Sequence, residues 1–301
     1  MTLVILAAGM GSRYGGMKQI DPIAENGEFI LDFTVYDAIK AGFDKIVIVI
    51  KEENLELFKE TVGKRIEPHV EVEYVFQRPD DLPNGYSYPN GRVKPWGTGH
   101  AVLAARHAVH DNFAAVNADD FYGRNAFMQL AEHLKNAKTE NGVSPCCMVG
   151  FMLEKTLTEN GSVSRGQCTV SRDGMLESIV ERKKIVRDGD TGLYEENGEW
   201  TPIPLDTVVS MNCFGFTPEV FGHFEKCFEK FLAENSESLT AEFYYPSAVF
   251  NMIENKNATV RVYNTPDNWY GVTYHEDKPA VIAAIRKMIK EGDYPESLWG
   301  I

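Results

Sequence analysis

The 301-residue sequence lacks the features that mark several common classes of protein. Its five cysteines form no Cys-x-x-Cys pair, and their odd number argues against a disulfide scaffold. Lysine and arginine number 30 against 44 aspartates and glutamates, so nucleic acid and membrane surfaces are not expected partners. No apolar run approaches 18 residues, and the chain opens directly in a strand rather than in a signal peptide. We therefore expect a cytoplasmic protein with reduced, buried thiols.

The most informative stretch is LVILAAGMGSRYGGMK, residues 3–18. Its apolar start is typical of a strand buried on both faces. The glycines that follow let backbone amides approach an anion, and Arg13 and Lys18 supply positive charge. The stretch predicts a phosphate-binding loop.

Other loop types fit this stretch less well. A dinucleotide fingerprint needs a helix to begin within the glycines, but two adjacent glycines and then Pro22 are poor helix material. A Walker loop fails on the spacing before Lys18. A glycine-rich turn without a ligand is the remaining alternative.

The order of elements predicts an α/β protein with a doubly wound, mostly parallel sheet. After the glycine-rich loop, strands are expected at 45–51, 70–76 and 112–117. Helices are expected before the first of these strands, at 29–42, after it, at 54–62, and after the last, at 124–138. Residues 78–97 are too rich in proline and glycine for a regular element, and Thr98 is expected to cap the next helix. Beyond residue 140, the strands predict a more antiparallel lobe, with residues 183–206 as an exposed excursion of the sheet. We expect one domain with two lobes.

Polar residues at predicted strand ends are the candidates for chemistry. Asp119 ends a buried strand, where a carboxylate can hold Mg²⁺ against phosphates; Asp120 is the alternative ligand, and either residue could instead cap a helix. Gln77 suits a base edge or an exposed turn. The Gly97-Thr98-Gly99 segment suits a ligand or an ordinary helix cap.

The second half offers weaker candidates. Glu181, Lys183 and Asn212 are polar where apolar residues would pack better. Asp267 and Asp277 are candidate second metal ligands, with turn and helix-cap roles as strong alternatives. The histidines near one helix lack further ligands for a metal, so packing or surface roles are favoured; they are His100, His107 and His110. No Gly-x-Ser-x-Gly motif supports covalent hydrolase chemistry.

Taken together, these motifs resemble those of the sugar-1-phosphate nucleotidyltransferases. LAAGMGSR with Lys18-Gln19 resembles the glycine-rich signature of that family, and DDFYG resembles a motif of its thymidylyltransferases. GTGHAV at 97–102 and IVERK at 179–183 resemble motifs of its uridyltransferases. The resemblance implies a Rossmann-like fold and transfer of a nucleotide, with UTP or dTTP favoured, to a sugar 1-phosphate with Mg²⁺.

The resemblance also implies roles for individual residues. Nucleotide binding would fall to Leu6, Ala8, Gly9, Gly11, Ser12, Arg13, Lys18, Gln77, Gly97 and Thr98, within a half of about 1–140. Acceptor binding would fall to Gly166, Glu181, Lys183 and Asn212, within a half of about 141–301. Arg13, Lys18 and Asp119 would be catalytic, and Asp119 and Asp267 would bind the metal.

Two departures leave the function open. The second metal-binding position of the family falls on an uncharged residue, which leaves Asp267 or Asn268 as substitutes. The 183–206 excursion lies beside the expected sugar pocket. Small-molecule substrates are therefore expected, but a cytidylyltransferase for a phosphorylated alcohol and a non-catalytic regulatory protein stay as alternatives. The sequence leaves a homo-oligomeric state open.

Overall fold

A computed structural model describes residues 1–9, 20–272 and 274–300 of the chain. The helices of these residues are α1 Ile30–Ala41, α2 Leu55–Phe58, α3 Lys64–Ile66, α4 Thr98–Ala104, α5 Arg124–Asn136, α6 Val220–Asn235, α7 Tyr245–Glu254 and α8 Lys278–Glu291. The first strands are β1 Thr2–Leu6, β2 Lys45–Ile50, β3 Glu71–Phe76, β4 Phe113–Asn117, β5 Asp120–Phe121 and β6 Ser144–Met152. The later strands are β7 Val163–Val170, β8 Leu176–Asp188, β9 Thr191–Glu196, β10 Glu199–Ile203, β11 Val208–Phe216, β12 Ala258–Asn264 and β13 Tyr270–Gly271.

The first half of the chain builds a parallel sheet in the order β4-β1-β2-β3. Every residue of β1 is buried because helices cover both faces of the sheet. Leu3 and Ile5 pack on the side of α1 and α5, whereas Val4 and Leu6 pack on the side of α4 and α6. The predicted doubly wound architecture is confirmed.

The sheet branches at β11, which runs antiparallel to all of its neighbours. One edge of β11 pairs with β6, and β6 in turn pairs with β12. The other edge pairs with β4 through Phe214–Phe216 but with β7 through Val209 and Ser210. The strands that continue from β7 form an antiparallel arm, β7-β8-β9-β10. The predicted antiparallel lobe is therefore present, and the 183–206 excursion is part of β8 followed by the β9–β10 hairpin.

Local predictions differ from the structure in three places. The helix expected at 54–62 is divided into α2 and α3 by a wider π-helical turn. Gly97, rather than Thr98, is the N-cap residue of α4, because Thr98 is already helical. The short ladder between β5 and β13 was not predicted, since two-residue strands carry no periodic signal. No helix within the described residues is long and apolar enough to cross a membrane.

Candidate active site

The start of the glycine-rich loop lies beside Asp119 at the carboxyl ends of the parallel strands. Leu6 ends β1 opposite Val49 on one side and Asn117 on the other. The amide of Ala118 donates to the Leu6 carbonyl at 3.1 Å, which places Asp119 next to the backbone that leads into the loop. Ligands of open α/β sheets bind at this edge.

Asp119 and Asp120 have different surroundings. Asp120 is buried, and its Oδ2 accepts a hydrogen bond from Nδ2 of Asn117 at 2.8 Å. Asp119 is half-buried, so part of it is accessible to solvent. This difference favours Asp119 as a metal ligand and Asp120 as a structural residue.

The hydroxyl of Tyr122 joins β4 to β11. It accepts a hydrogen bond from the Asn117 amide at 3.0 Å, and the Met211 carbonyl and Asp120 Oδ2 lie 2.9 and 3.2 Å away. Tyr122 is fully buried, which raises its pKa well above the usual range and keeps the hydroxyl protonated. The link holds the branch of the sheet against the end of β4.

Gln77, Gly97 and Thr98 come together at the other side of this edge. Gln77 directly follows β3, and its amide Nε2 donates to the Gly97 carbonyl at 3.0 Å. Gly97 has a φ of +97°, and a Cβ there would lie 2.6 Å from the Phe243 carbonyl. Only glycine satisfies both constraints. The Thr98 hydroxyl accepts from the Tyr245 amide at 3.4 Å, which ties the segment to α7.

Three of the residues predicted to bind the acceptor substrate lie on the neighbouring strands β7, β8 and β11. Gly166 pairs with Ser210 on β11 and with Glu181 on β8. Asn212 is two residues beyond Ser210, with a φ of +59° that asparagine tolerates better than most residues. The pairing of β4, β7 and β11 thus brings residues far apart in the sequence close together in one part of the sheet.

Glu181 and Lys183 lie on the exposed side of the arm. Although the surface of Glu181 is accessible, the protein around its carboxyl partly desolvates it and raises its pKa, against the opposing charges of Arg165 and Lys183. Lys183 is exposed.

The two candidate second metal ligands are both engaged in hydrogen bonds near helix starts. The Asp267 carboxylate accepts from the backbone amide and the side chain of Asn125, at 3.1 and 2.9 Å, in the first turn of α5. The Asp277 carboxylate accepts from Thr158, Asn160 and the Tyr274 amide just before α8. The Asp277 carboxylate thus closes the capping box of the 3-10 turn His275–Asp277 and makes no cap hydrogen bond to α8. The metal-binding roles of Asp267 and Asp277 stay predictions.

The Asp119 carboxylate has the oxygen donors that Mg²⁺ prefers. Among residues 1–9, 20–272 and 274–300, no three histidine, cysteine or acidic side chains are grouped for a metal. Mg²⁺ keeps several waters and commonly uses one or two carboxylates plus substrate phosphates. Asp119 fits that pattern.

Four of the predicted residues lie outside the described part of the chain, and two contacts at the site were not predicted. Gly11, Ser12, Arg13 and Lys18 lie outside the described residues. The linking hydroxyl of Tyr122 and the contact of His100 with Gln77 carried no signal in the sequence, because their partners are set by tertiary contacts.

Comparison with known proteins identifies the family. A family model described as Nucleotidyl transferase matches residues 2–270. The chain belongs to this family. As a nucleotidyltransferase, it is an enzyme.

This nucleotidyltransferase has relatives among curated protein sequences. It is 32% identical over 252 residues to the Bifunctional protein GlmU of Methanococcus maripaludis strain C7, a match that covers 71% of this chain and 54% of that protein. A second match, to the protein of the same name from strain C5, is 27% identical over 249 residues. The chain thus spans about half the length of the curated relatives it matches.

Solved structures share the fold of this nucleotidyltransferase. The inositol-1-phosphate CTP transferase from T. maritima aligns with a TM-score of 0.61 at 14% identity, covering 95% of this chain and 96% of that one. A UDP-glucose pyrophosphorylase complexed with UDP-glucose aligns with the same TM-score at 16% identity, covering 95% and 98%. At these identities the likeness concerns the fold alone.

Proposed function

We propose that this nucleotidyltransferase condenses UTP or dTTP with a sugar 1-phosphate, giving a nucleotide sugar and pyrophosphate in a Mg²⁺-dependent reaction. The observation that carries the proposal is the branch at β11, which places Gly166, Glu181 and Asn212 beside the end of β4 that precedes Asp119. The proposed nucleotide-binding edge and the proposed acceptor residues would therefore lie close together. The UDP-glucose pyrophosphorylase with the same fold adds support.

The reaction requires no general base. A sugar 1-phosphate is an anion at neutral pH, so its oxygen attacks the α-phosphorus of the triphosphate while the bond to the β-phosphate breaks and pyrophosphate departs. The protein must bring two anions together in line and stabilise the charge of the transition state.

Residues of both halves would divide this work. Arg13 and Lys18 would contact the triphosphate, Gln77 with Gly97 and Thr98 the base, and Lys183 the acceptor phosphate. Glu181 would accept hydrogen bonds from the sugar hydroxyls, and the side-chain amide of Asn212 would donate or accept them. Mg²⁺, when bound at Asp119, supplies positive charge that offsets the negative charge on the phosphates.

A second candidate function uses the same fold and chemistry. A cytidylyltransferase acting on a phosphorylated alcohol is supported by the likeness to the inositol-1-phosphate CTP transferase. A non-catalytic protein that binds nucleotide sugars is a third candidate.

One assay distinguishes the three candidates. The purified protein is incubated with Mg²⁺, each of five nucleoside triphosphates and a panel of sugar 1-phosphates, phosphocholine and inositol 1-phosphate, and pyrophosphate release is measured. Release with UTP or dTTP and one sugar supports the proposal, and chelation of Mg²⁺ should abolish it. Release only with CTP and a phosphorylated alcohol indicates the second function. Binding without release by folded protein indicates the third.

Two substitutions test the assigned roles. We expect Lys18→Ala and Asp119→Ala each to reduce turnover by about 10²-fold or more, as when one transition-state contact is removed. Asp173→Ala, in an exposed turn, is the control and should retain full turnover. Near-normal turnover in both active-site variants would contradict the mechanism.

A further inference from the structure

The side-chain amide of Gln77 lies between two hydrogen-bond acceptors. Its Nε2 is 3.0 Å from the Gly97 carbonyl and 3.3 Å from Nδ1 of His100. On the far side of the ring, Nε2 of His100 is 3.0 Å from the Asp81 carbonyl. Because a carbonyl has no hydrogen to donate, this contact requires the proton on Nε2 of His100. In the neutral ring, Nδ1 is then an acceptor for Gln77.

The surroundings of His100 keep its ring neutral. Only 2% of the residue is exposed, and the ring centroid lies 5.0 Å from that of Phe228. Burial is the largest influence and lowers the pKa of His100, so the ring is uncharged at pH 7. Charges nearby act in both directions: Asp81 raises the pKa, whereas Arg106 and Arg92 lower it. Arg106 is itself paired with Asp81 and with Glu225.

We propose that His100 is a positioning residue that orients the Gln77 amide so that its carbonyl oxygen faces the base of the nucleotide. Both hydrogens on Nε2 are directed to Gly97 and His100, so Oε1 is the end of the amide available to a ligand. A carbonyl oxygen accepts a hydrogen bond from N3–H of uracil or thymine, whereas N3 of cytosine has only a lone pair. The orientation therefore favours UTP or dTTP over CTP. This inference rests on the proposed function.

The orientation depends on the protonation of one nitrogen. A proton on Nδ1 of His100 would point toward the Nε2 hydrogens of Gln77. The hydrogen bond between them would be lost, and this contact would no longer hold the amide in its orientation. The discrimination between UTP and CTP should therefore be constant at neutral pH and decline as the pH falls through the lowered pKa of His100.

Two variants of His100 and one control test the role. His100→Met removes the acceptor, whereas the side-chain oxygen of His100→Asn can replace Nδ1. His107→Met changes an exposed histidine just beyond the same helix. Dissociation constants for UTP and CTP are measured by calorimetry, with thermal melting to verify folding. We expect the dissociation constant for CTP divided by that for UTP to fall by about 10-fold in His100→Met. A change of this size corresponds to one hydrogen bond. His100→Asn should retain most of the ratio, and His107→Met all of it.

The outcomes separate this inference from the proposed function. An unchanged ratio in folded His100→Met, or a wild type that prefers CTP, would overturn the role of His100 in base selection. A wild type that binds no nucleotide would overturn the proposed function and this role with it. The tautomer is measured without any nucleotide, by ¹⁵N NMR of histidine-labelled wild type at pH 7. We expect the proton of His100 on Nε2, and a proton on Nδ1 would overturn the inference.

Discussion

The parallel half of the sheet and the antiparallel arm are built in different ways. In the parallel half, β1 is wholly buried and β2 nearly so, between helices on both faces. In the arm, most residues of β8 and four of the five of β10 are at least partly accessible. Burial of apolar side chains fixes the position of the first half, whereas the arm depends on its backbone ladder and on pairs such as Arg182 with Glu196 at 2.9 Å.

This difference bears on how the two substrates would be recognised. The edge at which we propose that the nucleotide binds is formed by loops on a tightly packed scaffold, so changes there should alter stability as well as activity. The arm carries Glu181 and Lys183 on an accessible surface. Changes to the acceptor contacts that we propose for them should therefore have little effect on folding. The following substitutions test this contrast, beginning with the largest expected effect.

The buried carboxyl of Asp37 on α1 should make stability depend on pH. Burial is the main cause that raises its pKa to about 6, against the opposing effect of its hydrogen bond from Tyr294 and of the charge of Arg124. The folded state then binds this proton more tightly than the unfolded chain. The resulting stabilisation is complete below about pH 4 and is lost as the pH rises through 6, a change of about 3 kcal/mol.

Urea unfolding at a series of pH values measures this effect. Between about pH 4 and pH 7, the wild type should lose about 3 kcal/mol relative to Asp37→Asn, which cannot titrate. Glu181→Gln on the arm serves as the comparison and should change the pH dependence much less, because Glu181 is accessible. Parallel pH profiles of the wild type and Asp37→Asn would contradict the prediction.

Loss of the Tyr122 hydroxyl should destabilise the junction between the two halves. Tyr122→Phe leaves the Asn117 amide without its partner and removes the contacts to Met211 and Asp120. We expect a loss of about 2 kcal/mol in the free energy of unfolding, typical of unsatisfied buried polar groups. Tyr244→Phe, whose partly exposed hydroxyl donates to Glu242, should change stability by less than about 0.5 kcal/mol. Equal effects of the two changes would be evidence against the link.

Lys183→Gln should affect the acceptor substrate alone. Removal of one charged contact to a phosphate is expected to raise the KM for the sugar 1-phosphate by about 10-fold. The KM for the triphosphate and the melting temperature should stay unchanged, because Lys183 is exposed. Lys184→Gln, which breaks the ion pair with Glu195, is the matched control. A raised KM for the triphosphate would show that Lys183 affects the binding of the triphosphate as well as that of the sugar 1-phosphate.

The smallest effect is expected at the ion pairs of the arm. Glu196→Gln removes the partner of Arg182, but Arg182 retains its hydrogen bond to Gln167. The free energy of unfolding should fall by less than about 1 kcal/mol, and the difference should shrink at high salt. A larger loss would mean that the arm is held as tightly as the parallel half.

Local and periodic signals allowed much of the fold to be predicted. The apolar runs at β1 and β2 and the stop signal at Gly42, which adopts the left-handed conformation after α1, are properties of short segments. The β5–β13 ladder was missed, because it depends on a contact between distant parts of the chain. The division of the helix at 54–62 was also missed, and nothing in the structure explains it. Arg92 illustrates this limit: it is buried and donates to the carbonyls of Ser238 and Ala241, more than 140 residues away.

For the site, the sequence determined which residues are candidates and the tertiary structure decided which of them meet. Gln77 and Asp119 could be expected at the same edge, because the carboxyl ends of parallel strands share one side of a sheet. The row of Gly166 and Glu181 beside Asn212 exists only because β11 leaves β4 and pairs with β7. Likewise, only packing makes His100 a buried neutral acceptor for Gln77. Protonation and hydrogen-bond direction depend on the surroundings of a side chain, and those surroundings are created by folding.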